Sequence, residues 1–163
     1  MKITIIGSGN MGGAIAKGLS QGSIFQASDI TCTAQTDETL EKMRNINEDF
    51  NLTHDNITAV RESDLVIIAV KPWRVQSVIE EIRPVLQFDK QIIISIAAGV
   101  TFEQLNSHLK KSIASKVQVN PVIFRVMPNT AIEVKSSLTF ISACNASEDQ
   151  INLVLSIFNE LGK

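Results

Sequence analysis

A glycine-rich segment near the amino-terminal end, KITIIGSGNMGGA over residues 2–14, constrains the fold of this chain more than any other feature. Isoleucines precede the glycines as they would in a buried strand, and apolar residues with the spacing of one helix face follow them through Leu19. The segment therefore predicts a strand, a tight turn and a helix in direct succession.

The turn has the spacing G-x-G-x-x-G, and each glycine has a mechanical reason for its position. Gly7 allows the strand to turn sharply, Gly9 leaves space where a pyrophosphate approaches the backbone, and Gly12 lets the helix pack closely against the strand. The free N–H groups and the dipole at the start of the helix favour the negative charge of phosphates. The pattern favours a dinucleotide-binding turn over the alternative, an ordinary tight turn between a strand and a helix.

Composition limits the size of the fold and the class of partner. The chain has 163 residues, of which 44% are hydrophobic, which suffices for one well-buried domain but not for two of ordinary size. We therefore expect one domain over residues 1–163. Its 15 basic and 17 acidic residues give a net charge of −2, so we expect small-molecule or protein partners, and neither nucleic acid nor a membrane.

The apolar runs bear on cellular location, and the cysteines bear on metal and disulfide sites. The apolar runs are shorter than a membrane span, and the first strand begins where a signal peptide would stand, so we expect a cytoplasmic protein. Cys32 and Cys144 lie far apart with no Cys/His cluster nearby. We expect two buried thiols, with no metal site and no disulfide.

The order of the apolar segments predicts an α/β fold. Residues 65–70 form an unbroken apolar run, which is typical of a parallel strand covered by helices on both faces. Further strands are predicted before Gly7 and over residues 29–33, 91–96, 122–126 and 138–143. The expected architecture is a doubly wound, mostly parallel sheet (Rossmann fold) with helices on both faces. An antiparallel edge strand is possible at 138–143, whose connection is too short for a helical crossover.

Local chemistry gives four narrower predictions. Asp37 is expected to cap a short helix over residues 37–43, and residues 44–53 are expected to be irregular because turn-forming residues are frequent there. Asn56 is expected to cap one further helical turn, with an amide facing a cofactor as the alternative. Trp73 is predicted to pack at the edge of the core rather than to cover a nucleotide.

The end of the second strand bears on cofactor choice. An acidic residue at this point, about twenty residues beyond the glycines, is typical of NAD-binding domains, because its carboxylate accepts hydrogen bonds from the ribose hydroxyls. This chain has Thr33, Ala34, Gln35 and Thr36 instead. The absence of a carboxylate favours NADP, with NAD possible, and a neutral surface turn is the alternative.

Ligands of doubly wound sheets bind outside the carboxyl ends of the strands, so the strand-end turns define one candidate site. The turns are residues 7–12, 33–36, 69–72, 95–99 and 127–130. They contain glycines, small residues, neutral polar groups and one lysine, but no histidine and no paired carboxylate for acid/base chemistry. The site is therefore expected to hold a dinucleotide that itself supplies a hydride.

Four motifs, in this order and spacing, resemble those of pyrroline-5-carboxylate reductases. They are the Gly-x-Gly-x-Met-Gly turn, AVKP at residues 69–72, SIAAGV at 95–100 and RVMPNT at 125–130. The resemblance covers essentially the whole chain. It implies the reduction of 1-pyrroline-5-carboxylate to L-proline in proline biosynthesis, with NADPH or NADH as the reductant.

The resemblance also implies site residues, including Asn56, since the family has a matching asparagine near the adenosine phosphate. The implied cofactor contacts are Gly7, Ser8, Gly9, Asn10, Met11, Gly12, Thr33, Ala34, Gln35, Asn56, Ala69, Val70, Lys71, Pro72, Ile96, Ala97 and Ala98. Asn129 and Thr130 are predicted on the substrate side. No catalytic residue is assigned.

Members of this family continue past the position of Lys163 into a helical domain that dimerises, closes the substrate pocket and supplies the proton donor. The resemblance therefore implies a homo-oligomer formed through that domain, and little or no activity from this chain alone. The sequence departs from the family at Ala131, where proline is usual, at Trp73, where glutamine or histidine is usual, and at the second strand end, which lacks the usual Ser or Asn-Arg.

Two alternative interpretations are left open, a different enzyme and a protein without catalysis. The first is the cofactor domain of another two-domain dehydrogenase, of the prephenate dehydrogenase or F420-dependent NADP reductase type, which shares the glycine turn but not the Met-Pro-Asn-Thr turn. The second is a nucleotide-sensing module without catalysis.

Overall fold

The computed structural model describes residues 1–110 and 119–163. Within these two ranges, seven strands form one sheet in the order β3-β2-β1-β4-β5-β6-β7. The strands are β1 Ile3–Ile6, β2 Ile30–Thr33, β3 Asn51–Thr53, β4 Leu65–Ile68, β5 Ile92–Ser95, β6 Val122–Met127 and β7 Phe140–Cys144. All neighbouring strands are parallel except β6 and β7. The doubly wound sheet with an antiparallel edge strand, predicted from the sequence, is therefore confirmed.

Helices connect the parallel strands and cover both faces of the sheet. They are α1 Asn10–Ser20, α2 Asp37–Ile46, α3 Asn56–Arg61, α4 Val75–Ile82, α5 Phe102–Lys110 and α6 Glu148–Asn159. Short 3-10 turns lie at Ala27–Asp29, Pro72–Arg74, Arg83–Val85 and Thr130–Val134.

The core has two layers because successive side chains of a strand point to opposite faces. Ile5 and Ile67 belong to one layer, together with apolar side chains of α1 and α6. Ile6 and Ile68 belong to the other, together with side chains of α3, α4 and α5. The central strands are therefore buried on both sides, as the unbroken apolar run at residues 65–70 predicts for β4.

Close packing of α1 against β1 depends on one glycine. A Cβ atom on Gly12 would overlap the Gly7 carbonyl oxygen and lie 3.1 Å from the Ala69 Cβ atom. Only a residue without a side chain allows the helix to approach the strand this closely, which is the role that the sequence motif predicts for this position.

The local predictions around β2 are partly wrong. Residues 44–53 are irregular only in the turn over 47–50, since α2 continues to Ile46 and Asn51–Thr53 form β3, paired in parallel with β2. Asp37 is not the helix cap: the Thr36 side chain accepts a hydrogen bond from the Thr39 N–H instead. Asp37 is the first helical residue, where its carboxylate still interacts favourably with the helix dipole.

The packing role predicted for Trp73 is also wrong. Its side chain is 78% exposed. It lies in the 3-10 turn Pro72–Arg74, which precedes the buried Val75 at the start of α4. The turn presents the indole to solvent rather than to the core.

Candidate cofactor-binding site

The glycine turn lies where the strand order reverses direction. From β1, the chain proceeds outward to β2 and β3, and it then returns to β4 on the other side of β1. This reversal leaves a crevice at the carboxyl ends of β1 and β4, between connections that run to opposite faces of the sheet. Such switch points are where open α/β sheets bind ligands.

Backbone and side-chain hydrogen bonds fix the turn in place. The N–H groups of Gly7 and Ser8 donate to the Thr33 carbonyl oxygen at 3.1 and 2.9 Å, and the buried Ser8 hydroxyl donates to the same oxygen at 2.9 Å. Gly7 has a φ of +91°, a conformation that residues with side chains rarely adopt. The turn is thereby tied to the end of β2, the strand that flanks the site.

The start of α1 has features of an anion site. Gly9 caps the helix without a side-chain hydrogen bond, and no acidic residue lies in the first turn. In contrast, Thr36 caps α2 and Ser147 caps α6 with their hydroxyl groups. The first N–H groups of α1 therefore keep their capacity to bind a ligand, and the helix dipole favours one with negative charge.

The space in front of this helix is open. A Cβ atom built on Gly9 would have no other atom within 4 Å. Gly9 is thus not required by packing within the protein, in contrast to Gly12. A diphosphate approaching the backbone is a physical reason for a residue without a side chain here, so the residues fit a dinucleotide.

A cavity of about 730 Å³ extends from the turn along the strand ends. It is lined by most of the sequence-predicted cofactor residues, namely Gly7, Ser8, Gly9, Asn10, Met11, Ala34, Gln35, Ala69, Val70, Lys71, Pro72, Ile96, Ala97 and Ala98. Thr130, predicted on the substrate side, also lines it. The fold therefore brings residues of all five predicted turns to one cavity.

Four predicted residues are not among those that line the cavity. Gly12 lies where α1 packs against the end of β1, and Thr33 is buried at the end of β2. Asn129 accepts a hydrogen bond from the Ala131 N–H at 3.1 Å and caps the turn Thr130–Val134. Asn129 thus has a structural role, and its place beside a substrate stays a prediction.

Asn56, the fourth of them, takes part in a short chain of hydrogen bonds. The Thr33 hydroxyl donates to the Asn56 Oδ1 atom at 2.6 Å, and the Asn56 Nδ2 atom donates to a Glu81 carboxylate oxygen at 3.0 Å. Asp55, not Asn56, caps α3, because its side chain accepts from the Thr58 N–H. The capping role predicted for Asn56 is therefore wrong, and its contact with the cofactor stays a prediction.

The sequence did not single out five residues that also line the cavity, namely Ala14, Thr39, Arg74, Ile132 and Glu133. Thr36, which belongs to the predicted turn 33–36, lines it as well. Of the five, Arg74 could have been predicted from the sequence. It follows Lys71 by three residues, which is about one helical turn beyond the strand end. Ile132 and Glu133 lie in the turn after β6. This turn packs against α1, which is far from it in sequence, so the sequence alone does not predict the contact.

His54 braces the loop that follows β2. Its Nδ1 atom lies 2.6 Å from the Ala34 carbonyl oxygen, and its Nε2 atom lies 2.8 Å from the Asp37 Oδ1 atom. The hydrogen bond to Ala34 and the Asp37 carboxylate raise the pKa of His54 above its ordinary value of 6.5. Only the protonated ring can donate both bonds at once.

We predict that this brace weakens as pH rises. Because the pKa of His54 is raised in the folded chain, the stabilisation is complete below about pH 6.5 and is lost as pH rises through the folded value. Thermal unfolding of the wild type and His54→Ala from pH 6 to pH 8 measures this. The difference in Tm should shrink towards pH 8, and a difference that is constant or grows would contradict the prediction. The ring signals of the chain's two histidines, assigned with the variant, give the titration directly.

The two cysteines differ from each other. Burial raises the pKa of Cys32 to about 12, so this thiol is unreactive. Cys144, predicted to be buried, is only half-buried on the edge strand β7. Within residues 1–110 and 119–163, no group of three or more His, Cys, Asp or Glu side chains is placed to hold a metal. No helix in these same ranges has both the length and the apolar character needed to cross a membrane.

Comparison with known proteins identifies the family. A family model described as NADP oxidoreductase, coenzyme F420-dependent, matches residues 2–99. This match includes the glycine turn and the strand ends of β2, β4 and β5.

Relatives that match nearly the whole chain have a different name. A pyrroline-5-carboxylate reductase of Staphylococcus aureus (strain COL) is 31% identical over 165 residues, covering 99% of this chain and 58% of the relative. Pyrroline-5-carboxylate reductase 2 of Dictyostelium discoideum is 34% identical over 140 residues, covering 86% of this chain and 44% of the relative. The chain thus spans about half the length of the curated relatives it matches.

Structural similarity agrees with these matches. A pyrroline-5-carboxylate reductase of Coxiella burnetii has a TM-score of 0.85 and 31% identity, and the match covers 99% of this chain and 56% of that one. Prephenate dehydrogenase of Aquifex aeolicus shares the fold with a TM-score of 0.74 at 16% identity, covering 98% of this chain and 58% of that one. The predicted resemblance to pyrroline-5-carboxylate reductases is confirmed, and the chain belongs to the family of NADP oxidoreductases described as coenzyme F420-dependent.

Proposed function

We propose that this chain binds NADPH in the cavity at the carboxyl ends of its strands. The observation that carries this proposal is the start of α1, where uncapped N–H groups meet the open space in front of Gly9. The residues expected to hold the diphosphate are the backbone groups of residues 9–12. Residues 33–36 are expected to face the adenosine ribose, because this part of a dinucleotide lies at the end of the second strand in such sheets.

NADPH is favoured over NADH by the charge of the cavity wall. Among the described residues that line it, Lys71 and Arg74 are positive, and Glu133 is negative. The end of β2 contributes no carboxylate that would repel a 2′-phosphate, and Thr36 and Gln35 supply groups that can donate hydrogen bonds to one. NADH is expected to bind more weakly through the diphosphate contacts, which are common to both cofactors.

We further propose that the chain is the cofactor domain of an enzyme that reduces 1-pyrroline-5-carboxylate to L-proline, a step of proline biosynthesis. The similarity to pyrroline-5-carboxylate reductases over nearly all of the chain supports this, including the turn at residues 127–130. When bound, NADPH supplies the hydride for such a reduction. Lys71 lines the cavity and is expected to attract an anionic substrate, and Thr130 lines the same cavity.

The assembly and location predicted from the sequence belong to the same proposal. A helical domain of the kind the family carries beyond the position of Lys163 would complete the substrate pocket and form a homo-oligomer. The cytoplasm is the location that we propose for the enzyme.

A titration of both reduced cofactors tests the proposed function. Trp73 is the one tryptophan of the chain, and it lies between Pro72 and Arg74, which both line the cavity. Its fluorescence should therefore change when a cofactor binds. We expect saturable binding of NADPH and at least about tenfold weaker binding of NADH, the effect of roughly one charge-assisted hydrogen bond. Equal or tighter NADH binding would contradict the NADPH preference, and no binding of either cofactor would contradict the proposed function.

A further inference from the structure

Arg74 extends from a rigid part of the cavity wall. Its N–H donates to the Lys71 carbonyl oxygen at 2.9 Å, and its own carbonyl oxygen accepts from the Ser77 hydroxyl at 2.9 Å. The next residue, Val75, is fully buried in the core. The backbone of Arg74 is therefore held by the 3-10 turn and by α4, while its half-buried side chain lines the cavity.

The guanidinium group of Arg74 has no partner among the described residues. The ion pairs within residues 1–110 and 119–163 join other side chains, and no carboxylate there pairs with Arg74. Arg44, in contrast, pairs with Glu41 on the surface of α2. A partly buried arginine that faces a cavity without an internal partner has its hydrogen-bond donors available for a ligand.

Another part of the cavity wall consists of neutral polar groups at the end of β2. Gln35, Thr36 and Thr39 line the same cavity as Arg74, and the Thr36 and Thr39 hydroxyls lie 3.0 Å apart. This wall is where the ribose of the adenosine half is expected, given a diphosphate at the start of α1. A 2′-phosphate on that ribose would lie in a cavity that is lined both by these hydroxyl donors and by Arg74.

We infer that Arg74 is the residue that distinguishes NADPH from NADH in this chain, by binding the 2′-phosphate. This inference rests on the proposed cofactor function and deepens it. An arginine fork can bind two oxygens of a phosphate at once, which the single ammonium group of a lysine cannot do. The Arg74 guanidinium group thus reaches the ribose from the β4–α4 connection. The end of β2 contains no arginine that could do so.

The test compares cofactors that differ only in the 2′-phosphate. Arg74→Ala should weaken NADPH binding by about tenfold to a hundredfold, the loss expected for one or two charge-assisted hydrogen bonds, and leave NADH binding within about twofold. Arg74→Lys should lose part of the NADPH affinity, because it keeps the charge but not the fork. Calorimetry with adenosine 2′,5′-bisphosphate and adenosine 5′-monophosphate should give the same ratio without the nicotinamide half.

Arg61→Ala is the matched control. Arg61 is exposed at the end of α3 and is not among the residues that line the cavity, so its removal changes the net charge equally. The NADPH-to-NADH ratio should stay at the wild-type value in this variant.

Two outcomes separate this inference from the proposed function. A wild type that binds NADPH, together with an Arg74→Ala variant that keeps the cofactor ratio or loses both cofactors equally, overturns the role of Arg74 alone. A wild type that binds neither cofactor overturns the proposed function and the inference with it. Circular dichroism of each variant must match the wild type, since a misfolded variant would lose both cofactors.

Discussion

A Gly9→Val chain is expected to fold as the wild type does and to bind NADPH at least about 100-fold more weakly, the loss of about two charge-assisted hydrogen bonds. Gly9 has φ −69° and ψ −154°, extended backbone with a negative φ, and so lies outside the left-handed region that favours glycine. A side chain there meets no atom of the protein within 4 Å of its Cβ position. Instead, it occupies the space in front of the first turn of α1, where the diphosphate is expected.

Gly12→Val is the matched control, with the same substitution three residues along the chain. Its Cβ atom would overlap the Gly7 carbonyl oxygen, which is backbone and cannot rotate away. This variant should lose about 3 kcal/mol or more of stability through forced separation of α1 from β1. Denaturant unfolding of both variants measures their stability, and NADPH titration measures their affinity for the cofactor. Unchanged NADPH affinity in a folded Gly9→Val chain would show that the cofactor binds elsewhere.

The sequence predicted the centre of the sheet better than its edge. β1, β4 and β5 are apolar runs buried on both faces, and such runs have few other stable arrangements. β3 was missed because Asn51–Thr53 has three residues, only partly buried, and no apolar pattern. It forms because β2 offers an edge for parallel pairing, with Leu52 opposite Cys32. Long-range pairing of this kind leaves no local signal.

Helix caps were predicted to within one residue. Thr36 and Asp37 stand side by side, as do Asp55 and Asn56, and all four residue types can cap a helix. The fold uses Thr36 and Asp55, so the neighbouring Asp37 and Asn56 are available for contacts with His54 and Thr33. Which of two adjacent capping residues is used depends on where the preceding strand ends, and the sequence does not give that position.

The candidate site was predictable because parallel strands place their carboxyl ends together. Knowledge of the strands alone was therefore enough to group Gly9, Gln35, Lys71 and Ala97 around one cavity. Glu133 could not be found in this way, because it reaches the cavity only through the packing of its turn against α1. Ile132 and Glu133 both lie in this connection, whose path depends on tertiary contacts.

This chain alone is expected to reduce 1-pyrroline-5-carboxylate at least about 1,000-fold more slowly than a two-domain relative. The described residues that line the cavity include no histidine, and the one carboxylate among them, Glu133, is exposed. Lys71 is exposed as well, so water screens its attraction for a substrate carboxylate. Oriented binding of two reactants can lower a barrier by about 7 to 11 kcal/mol, and a wall on one side of the cofactor supplies only part of that orientation.

Steady-state oxidation of NADPH by the purified chain in the presence of 1-pyrroline-5-carboxylate measures the rate. The cofactor must first be shown to bind, with the Gly9→Val chain as the negative control, so that slow turnover is not confused with an empty site. A factor of 1,000 corresponds to about 4 kcal/mol of transition-state stabilisation, well within what lost orientation can explain. Turnover within about tenfold of a two-domain relative would show that these 163 residues position the substrate and its proton donor by themselves.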